Sequence, residues 1–415
     1  MAEGKKNGEE GEDDKGEDVP LSADEVKLMK QMESGKEVED KLIKEGIHIS
    51  DVKYKWYIDN LYDIDPKTGL VWKDYEQISR QRKVVFYLLK QIGVNLLKGK
   101  SIMNVSLPVT IMEPQTMLQR LAKVYSYLPA FADRFQEKDP LERMKNYVGF
   151  SISCLHSSLQ QKKPLNPVWG ETFQGYLGDP RFQVCCEQTS HHPPASNIMI
   201  DTPWYTVYAT HKVEARTYPN TVRVKSLGQQ SVVFKDEQHT TYKVRVNPEV
   251  FIGGLMMGKR VIAYENFMEI KDVTNKLYMQ ARFNPEKQGF FDKIFSKTTA
   301  TRSDYFKGFI TKNKKLLKDT SRKAFYSKEM LSYFEGQWLE QVIIDGDCYW
   351  QLGREQPVAL IGAAQPLESD STHRPDLQFL AQENEAEAQR KKDELEEMQR
   401  RDRKLREPFG KKHAK

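Results

Sequence analysis

Between about residues 165 and 350 the chain is a succession of short segments rich in β-branched and aromatic side chains, cut repeatedly by Gly, Pro, Asn and Asp. Phe182 to Cys186, Tyr205 to Tyr208, Val222 to Val224, Val232 to Phe234, Tyr242 to Val246, Val261 to Ala263, Phe267 to Ile270 and Leu277 to Phe283 are the clearest runs. Runs of this length and composition predict strands. Many of them at near-regular spacing restrict the architecture to a sandwich or a barrel.

Helical patterns flank this stretch. Val84 to Leu97 is apolar but interrupted by Gly93, so a helix there is short and hinged, or is simply a core helix. Leu107 to Pro114 reads as extended, and Gln115 to Phe135 places Leu118, Leu121, Val124, Tyr125 and Leu128 at helical spacing. Helices are expected to give way to strands after Tyr147. Residues 366–407 return to helix, and Glu383 to Arg406 contains no glycine or proline. Further upstream, Asp65-Pro66-Lys67-Thr68-Gly69 is a turn between two aromatic-rich segments to which the sequence assigns no function. Residues 21–45 suggest a short helix capped by Ser22, and residues 1–20, almost without apolar side chains, read as a disordered acidic tail.

With 415 residues, size does not limit the core. The net charge of +5 gives no reason to expect nucleic acid as a partner. Charge is instead unevenly placed: residues 1–18 carry eight acidic and three basic side chains, residues 400–415 eight basic and two acidic. Four cysteines in a chain this long fit a reduced, cytoplasmic protein. The first residues lack the apolar core of a secretory signal, and Val84 to Leu97 falls short of the ~20 residues a spanning helix needs. Any membrane contact is therefore expected to be peripheral.

Three constellations can carry binding chemistry. In Glu187-Gln188-Thr189-Ser190-His191-His192-Pro193-Pro194 two imidazoles precede two prolines, which stiffen the backbone that presents them. Phosphate is an obvious ligand for such a pair. In Lys162-Lys163-Pro164-Leu165-Asn166-Pro167-Val168-Trp169-Gly170-Glu171 the prolines favour polyproline-II geometry, which projects Lys163 and Asn166 from one face. On the last helix Lys392, Glu396 and Arg400 stand at i, i+4 and i+8, a stripe that in isolation is usually a solvated ion-pair ladder.

Together, and in this order, these motifs resemble those of the oxysterol-binding-protein-related family of lipid-transfer proteins. Glu-Gln-x-Ser-His-His-Pro-Pro is that family's signature; Lys-Pro-x-Asn-Pro-x-x-Gly-Glu is similar to its second fingerprint, and the stripe lies in a matching Leu395-Glu396-Glu397-Met398-Gln399-Arg400 context. The resemblance covers about residues 84–407. It implies an α+β fold: a large, nearly closed antiparallel β-barrel over 165–350 enclosing a lipid tunnel, an N-terminal lid over 84–107, and C-terminal helices over 366–407. Residues 21–83 would be an extension of unknown role and 408–415 a basic tail. It further implies that Lys163, Asn166, His191, His192, Lys392, Glu396 and Arg400 surround the headgroup of phosphatidylinositol 4-phosphate, while Val84, Phe86, Leu88, Leu89, Ile92 and Leu96 belong to the lid. Function would be exchange of that lipid for a sterol or phosphatidylserine between anionic membrane surfaces, with no cofactor. A phosphoinositide-regulated sensor or scaffold is the alternative.

Enzymatic readings fare worse. Cys185 and Cys186 on a strand point to opposite faces and cannot join His191 and His192 around one metal. No Gly-x-Ser-x-Gly elbow or phosphate-binding glycine loop is present, and Gly253, Gly254 and Gly258 do not fit a dinucleotide fingerprint. Gly289-Phe290-Phe291-Asp292 lacks the preceding acid of a receptor-binding motif and reads as a strand or loop of the lipid-binding domain.

Overall fold

A computed structural model of the chain describes residues 62–65, 69–92, 106–157, 161–191, 193–284, 303–318, 324–325 and 327–413. The expectations for residues 1–45, Leu96, His192 and the Gly289 to Asp292 segment fall outside them. Of two compact units, Met1–Ile49 and Ser50–Lys415, the second contains every element below.

The sheet is organised on one long strand, β14 (Val261–Asp272). The sequence suggests two strands here, and the structure joins them through Asn266, whose φ of 73° lies in the left-handed region that asparagine tolerates. Sheet partners change at this residue. The first half of β14 pairs with β13 (Glu249–Gly253) and with β2 (Gly69–Trp72), the second with β12 (Thr241–Val246) and β15 (Leu277–Phe283). From β15 the sheet runs on through β16 (Tyr305–Thr311), β17 (Met330–Gln337), β18 (Gln341–Ile344) and β19 (Asp347–Gln351). From β12 it continues through β11 (Gln230–Phe234), β8 (Tyr205–His211), β7 (Pro194–Asp201), β6 (Gln183–His191), β5 (Thr172–Leu177) and β20 (Leu360–Gly362). Strand β13 leads to β10 (Thr221–Ser226) and β9 (Val213–Tyr218), and β2 to β1 (Tyr62–Asp65). All these pairings are antiparallel, 18 strands among the described residues. A separate parallel pair joins β3 (Met112–Thr116) to β4 (Lys163–Leu165).

This sheet curls around a helix. Pro140–Ser157, which continues past the Tyr147 boundary expected from sequence, packs on strands from both arms. Tyr147 meets Tyr242 of β12 edge-on at 5.0 Å, while a Cβ on Gly149 would lie 3.2 Å from the Tyr349 carbonyl of β19. A larger residue would force the strand to give by a few tenths of an ångström. Buried Phe131, Phe135, Phe150, Tyr205 and Phe234 complete the aromatic core, most of them in edge-to-face contacts that aromatic quadrupoles favour. Strands β19 and β20 end the two long arms and β9 and β1 the two short branches of the large antiparallel sheet expected.

Two differences from the sequence reading lie near the start. Strands β1 and β2 pair antiparallel from Asp65 and Gly69 to Tyr62 and Trp72, which are buried and edge-to-face at 5.4 Å, so part of the 21–83 extension is built into the sheet. Next comes helix α1 (Tyr75–Ile92), which begins ahead of Val84 because Asp74 caps it: the Asp74 carboxylate accepts from the Gln77 amide at 2.9 Å. Ile78, Gln77 and Gln81 are buried; Val84, Leu88 and Leu89 are half-buried, and Phe86 is 52% exposed. Polar contacts hold α1 in place. Gln81 donates to the Gln161 carbonyl at 2.8 Å and accepts from Arg260, and Arg80 pairs with Glu385 at 3.0 Å. Helices α2 (Met117–Lys123) and α3 (Pro140–Ser157) follow; α4 (Pro375–Ala381) and α5 (Glu385–His413) close the chain. The Gln115 to Phe135 pattern is thus one short α-helix continued by 3₁₀ turns at Leu128–Phe131 and Arg134–Gln136. No helix among the described residues is long and apolar enough to cross a membrane.

Candidate functional site

The two central motifs are zipped together by backbone pairing. Gly170 donates to the Gln188 carbonyl and Gln188 to the Glu171 carbonyl, both at 2.9 Å, in register with the Thr172–Glu187 pair of β5 and β6. Gly170 turns at φ 82°, which explains the glycine in the fingerprint. The indole of Trp169 donates to the Thr189 carbonyl at 3.1 Å. Around the β6–β7 turn, Gln188 donates to the Ser190 carbonyl at 2.8 Å and accepts from Ser196, and the Ser190 hydroxyl bonds the Pro193 carbonyl at 2.7 Å. The Gln and Ser of the octapeptide are therefore the scaffold that holds His191 at the strand end. Cys185 is exposed and Cys186 buried, as alternation on β6 requires.

A buried ion network anchors the other motif. Arg374 bonds Glu171 at 2.8 Å, Asp376, and the Asn166 carbonyl at 2.7 Å; the side chains of Arg374, Glu171 and Asp376 are 8%, 2% and 0% exposed. Residues 163–165 form β4 rather than a polyproline-II turn, yet the two polar side chains do converge: Lys163 Nζ donates to Asn166 Oδ1 at 2.6 Å.

The last helix closes the site. Asn384 caps α5, and fully buried Ala388 lets the helix settle against Val109, Met112, Leu165 and Leu380. Gln389 fixes its rotation by accepting from the Val109 amide at 2.9 Å. Lys392 consequently points inward. Its ammonium bonds Glu396 at 2.6 Å and Ser106 at 2.9 Å with a side chain only 4% exposed, whereas Arg400, 65% exposed, reaches Glu396 at 3.0 Å. So buried a lysine is no solvated ladder. Burial and the cations Lys392 and Arg374 pull the Lys163 ammonium down to about 8.

These groups line one cavity of about 490 Å³, with Asn166, His191, Arg374, Lys392, Glu396 and Arg400 on its wall. Lys163 is not on that wall but bonds Asn166, which is. A second cavity of about 420 Å³ extends into the curl of the sheet between α2, α3 and strands β7, β8, β10 and β14, with Leu121, Val124, Phe150, Ile198, Ile262 and Met268 among its mostly apolar lining. Met117, His211 and Val213 line both cavities. Val84, Phe86, Leu88 and Leu89 line neither. Sequence reasoning missed Ser106, Ser196, His211 and Arg374. Only Arg374 had a local hint, in that the fixed Glu171 of the fingerprint required a buried partner.

A pocket rich in cations that shares part of its wall with an apolar cavity suits an amphiphile with an anionic head. Comparison with known proteins agrees. The family model described as oxysterol-binding protein matches residues 93–346. Oxysterol-binding protein 9 of Dictyostelium discoideum is 29% identical over 377 residues, covering 89% of this chain and 83% of that protein. Human oxysterol-binding protein-related protein 3 is 27% identical over 329 residues, covering 73% of this chain, which spans only 34% of the human protein's length. Among solved structures, the Osh3 ORD of Saccharomyces cerevisiae in complex with PI(4)P aligns with a TM-score of 0.60 at 20% identity, covering 83% of this chain and 87% of that one. The Osh1 ORD domain in complex with cholesterol aligns with a TM-score of 0.63 at 20% identity, covering 94% and 90%. The chain belongs to the oxysterol-binding protein family, whose members bind lipids rather than catalyse reactions.

Proposed function

We propose that this protein binds phosphatidylinositol 4-phosphate with the phosphorylated headgroup in the polar cavity and the acyl chains in the apolar one, and exchanges it between membranes for a second lipid, a sterol or phosphatidylserine. The observation that carries the reading is convergence: Asn166, His191, Lys392, Glu396 and Arg400, from three distant stretches of sequence, line one cavity, Lys163 is bonded to Asn166, and that cavity shares Met117, His211 and Val213 with an apolar one. Lys163 and Lys392 supply charge to the phosphate, Asn166 and His191 hydrogen bonds, and Glu396 orients Lys392 and Arg400. His192 joins them on the strength of the signature alone. The lid role of Val84, Phe86, Leu88, Leu89, Ile92 and Leu96 rests on the family resemblance alone. Each acyl methylene withdrawn from water contributes about 0.8 kcal/mol, so the apolar cavity supplies affinity while the polar one supplies selectivity. The PI(4)P and sterol complexes of similar ORD structures support both ligand classes.

The protein would act in the cytoplasm at anionic membrane surfaces, with the basic end of α5 contributing attraction. Two liposome populations test the reading. A donor bearing phosphatidylinositol 4-phosphate and an acceptor bearing sterol or phosphatidylserine should exchange both lipids in opposite directions at catalytic protein concentrations. Stoichiometric binding without delivery would identify a sensor instead.

A further inference from the structure

Three side chains line both cavities, and two of them, Met117 and Val213, are apolar, as the entrance to a lipid tunnel should be. The third is His211. Burial alone pulls its imidazole down to about 4, so near neutral pH it carries one N–H donor and one nitrogen acceptor. Among the described residues, no protein group hydrogen-bonds that ring. The residue is half-buried, so its ring stays within reach of water in the free protein, and a ligand that displaces this water costs free energy unless it satisfies the ring.

Its position is rigid. His211 ends β8 opposite Ser196 of β7, Thr210 donates to the Gln229 carbonyl at 2.8 Å, and the Lys212 carbonyl accepts from Leu227 at 2.7 Å. A Cβ on Gly228 would fall 1.7 Å from the Thr210 carbonyl, so the β10–β11 connection presses directly on this backbone. The ring has a fixed address where the walls of the two cavities meet.

We propose that His211 reads the ester-linked glycerol of a diacyl phospholipid, donating its N–H to an ester carbonyl where the ligand passes from the polar cavity into the apolar one. This rests on the phosphoinositide reading above. With the phosphate held by Lys163, His191 and Lys392, and the chains in the apolar cavity, the segment left where the two walls meet is the glycerol diester, whose carbonyl oxygens are acceptors. His211 thereby selects acyl esters over ligands that present only hydrocarbon at that level.

The test compares two phosphatidylinositol 4-phosphates with the same headgroup and chain length, one diacyl and one dialkyl ether, which lacks the carbonyls. Wild-type protein should bind the diacyl lipid roughly fivefold more tightly, the scale of one hydrogen bond. His211→Phe should abolish that preference while leaving ether-lipid affinity and melting temperature nearly unchanged, and His211→Gln, which keeps a donor, should restore part of it. Equal wild-type affinity for both lipids would overturn the inference and leave the headgroup reading intact. A preference that survives in His211→Phe would likewise overturn it, as would a parallel loss of both affinities with folding stability. Failure of the wild type to bind either lipid would overturn the headgroup reading together with it.

Discussion

Lys163 sits on a titration that ligand binding must move. In the unliganded protein its ammonium titrates near 8, held there by burial and by Lys392 and Arg374. A bound phosphate favours the charged form and raises that value. Between the free and the bound value, binding therefore takes up a proton, and affinity falls as pH rises through this window; below it affinity is flat. The phosphate's own second ionisation, near ~6, lies clear of this range. Calorimetry at about pH 9 in buffers of different ionisation enthalpy should register proton uptake on binding phosphatidylinositol 4-phosphate, and Lys163→Met should abolish it. A wild-type affinity independent of pH between about 7 and 10 would remove Lys163 from the headgroup site. At this scale contiguous motifs were legible because each is a short backbone device: Gly170 makes the turn, Gln188 ties the hairpin and Glu171 receives an arginine. His211 and Ser106 were not. Nothing beside either residue in sequence distinguishes it from any other strand-end histidine or loop serine.

Arg374 links elements that the chain separates widely, tying the Asn166 loop and Glu171 to Asp376 at the start of α4. Arg374→Ala leaves two carboxylates buried without their cation, which should lower folding stability by ~3–5 kcal/mol in urea denaturation. Arg374→Lys should recover little of it, because a point charge cannot form the fork to Glu171 and Asp376. A variant of unchanged stability with weakened lipid binding would make Arg374 a ligand contact instead of an anchor. Strands were legible as elements wherever β-branched and aromatic runs met turn residues. What local pattern could not reveal was partnership: the β1–β2 pair joins β14, far along the chain, and β14 itself reads as two strands because its bend at Asn266 resembles a break. Helix α1 was placed late because its apolar run begins at Val84 while its buried polar anchors, Gln77 and Gln81, precede that run.

The unit Ser50–Lys415 is a sheet wrapped on helix α3 with a polar cavity and an apolar one that share part of their walls, and the last helix lines the polar cavity. Strand spacing narrows its class to a sandwich or a barrel and the motif resemblance selects the barrel, but the strand order depends on long-range pairing that spacing does not encode. The stripe Lys392, Glu396 and Arg400 gained its meaning only from tertiary packing, through Ala388 and Gln389, which turn it inward. Neighbouring lysines on that helix provide the sharpest comparison: Lys392 is buried against Ser106 and Glu396, while Lys391 pairs with Glu394 at 3.0 Å on the outer face. Extraction of phosphatidylinositol 4-phosphate from liposomes, measured for Lys392→Ala and Lys391→Ala beside the wild type, tests the placement of the headgroup most directly. Lys392→Ala should weaken extraction at least about tenfold, equivalent to ~1.4 kcal/mol, and Lys391→Ala should leave it within about twofold. Equal effects from the two substitutions would contradict the account, because a merely electrostatic contribution of the helix does not distinguish its two faces.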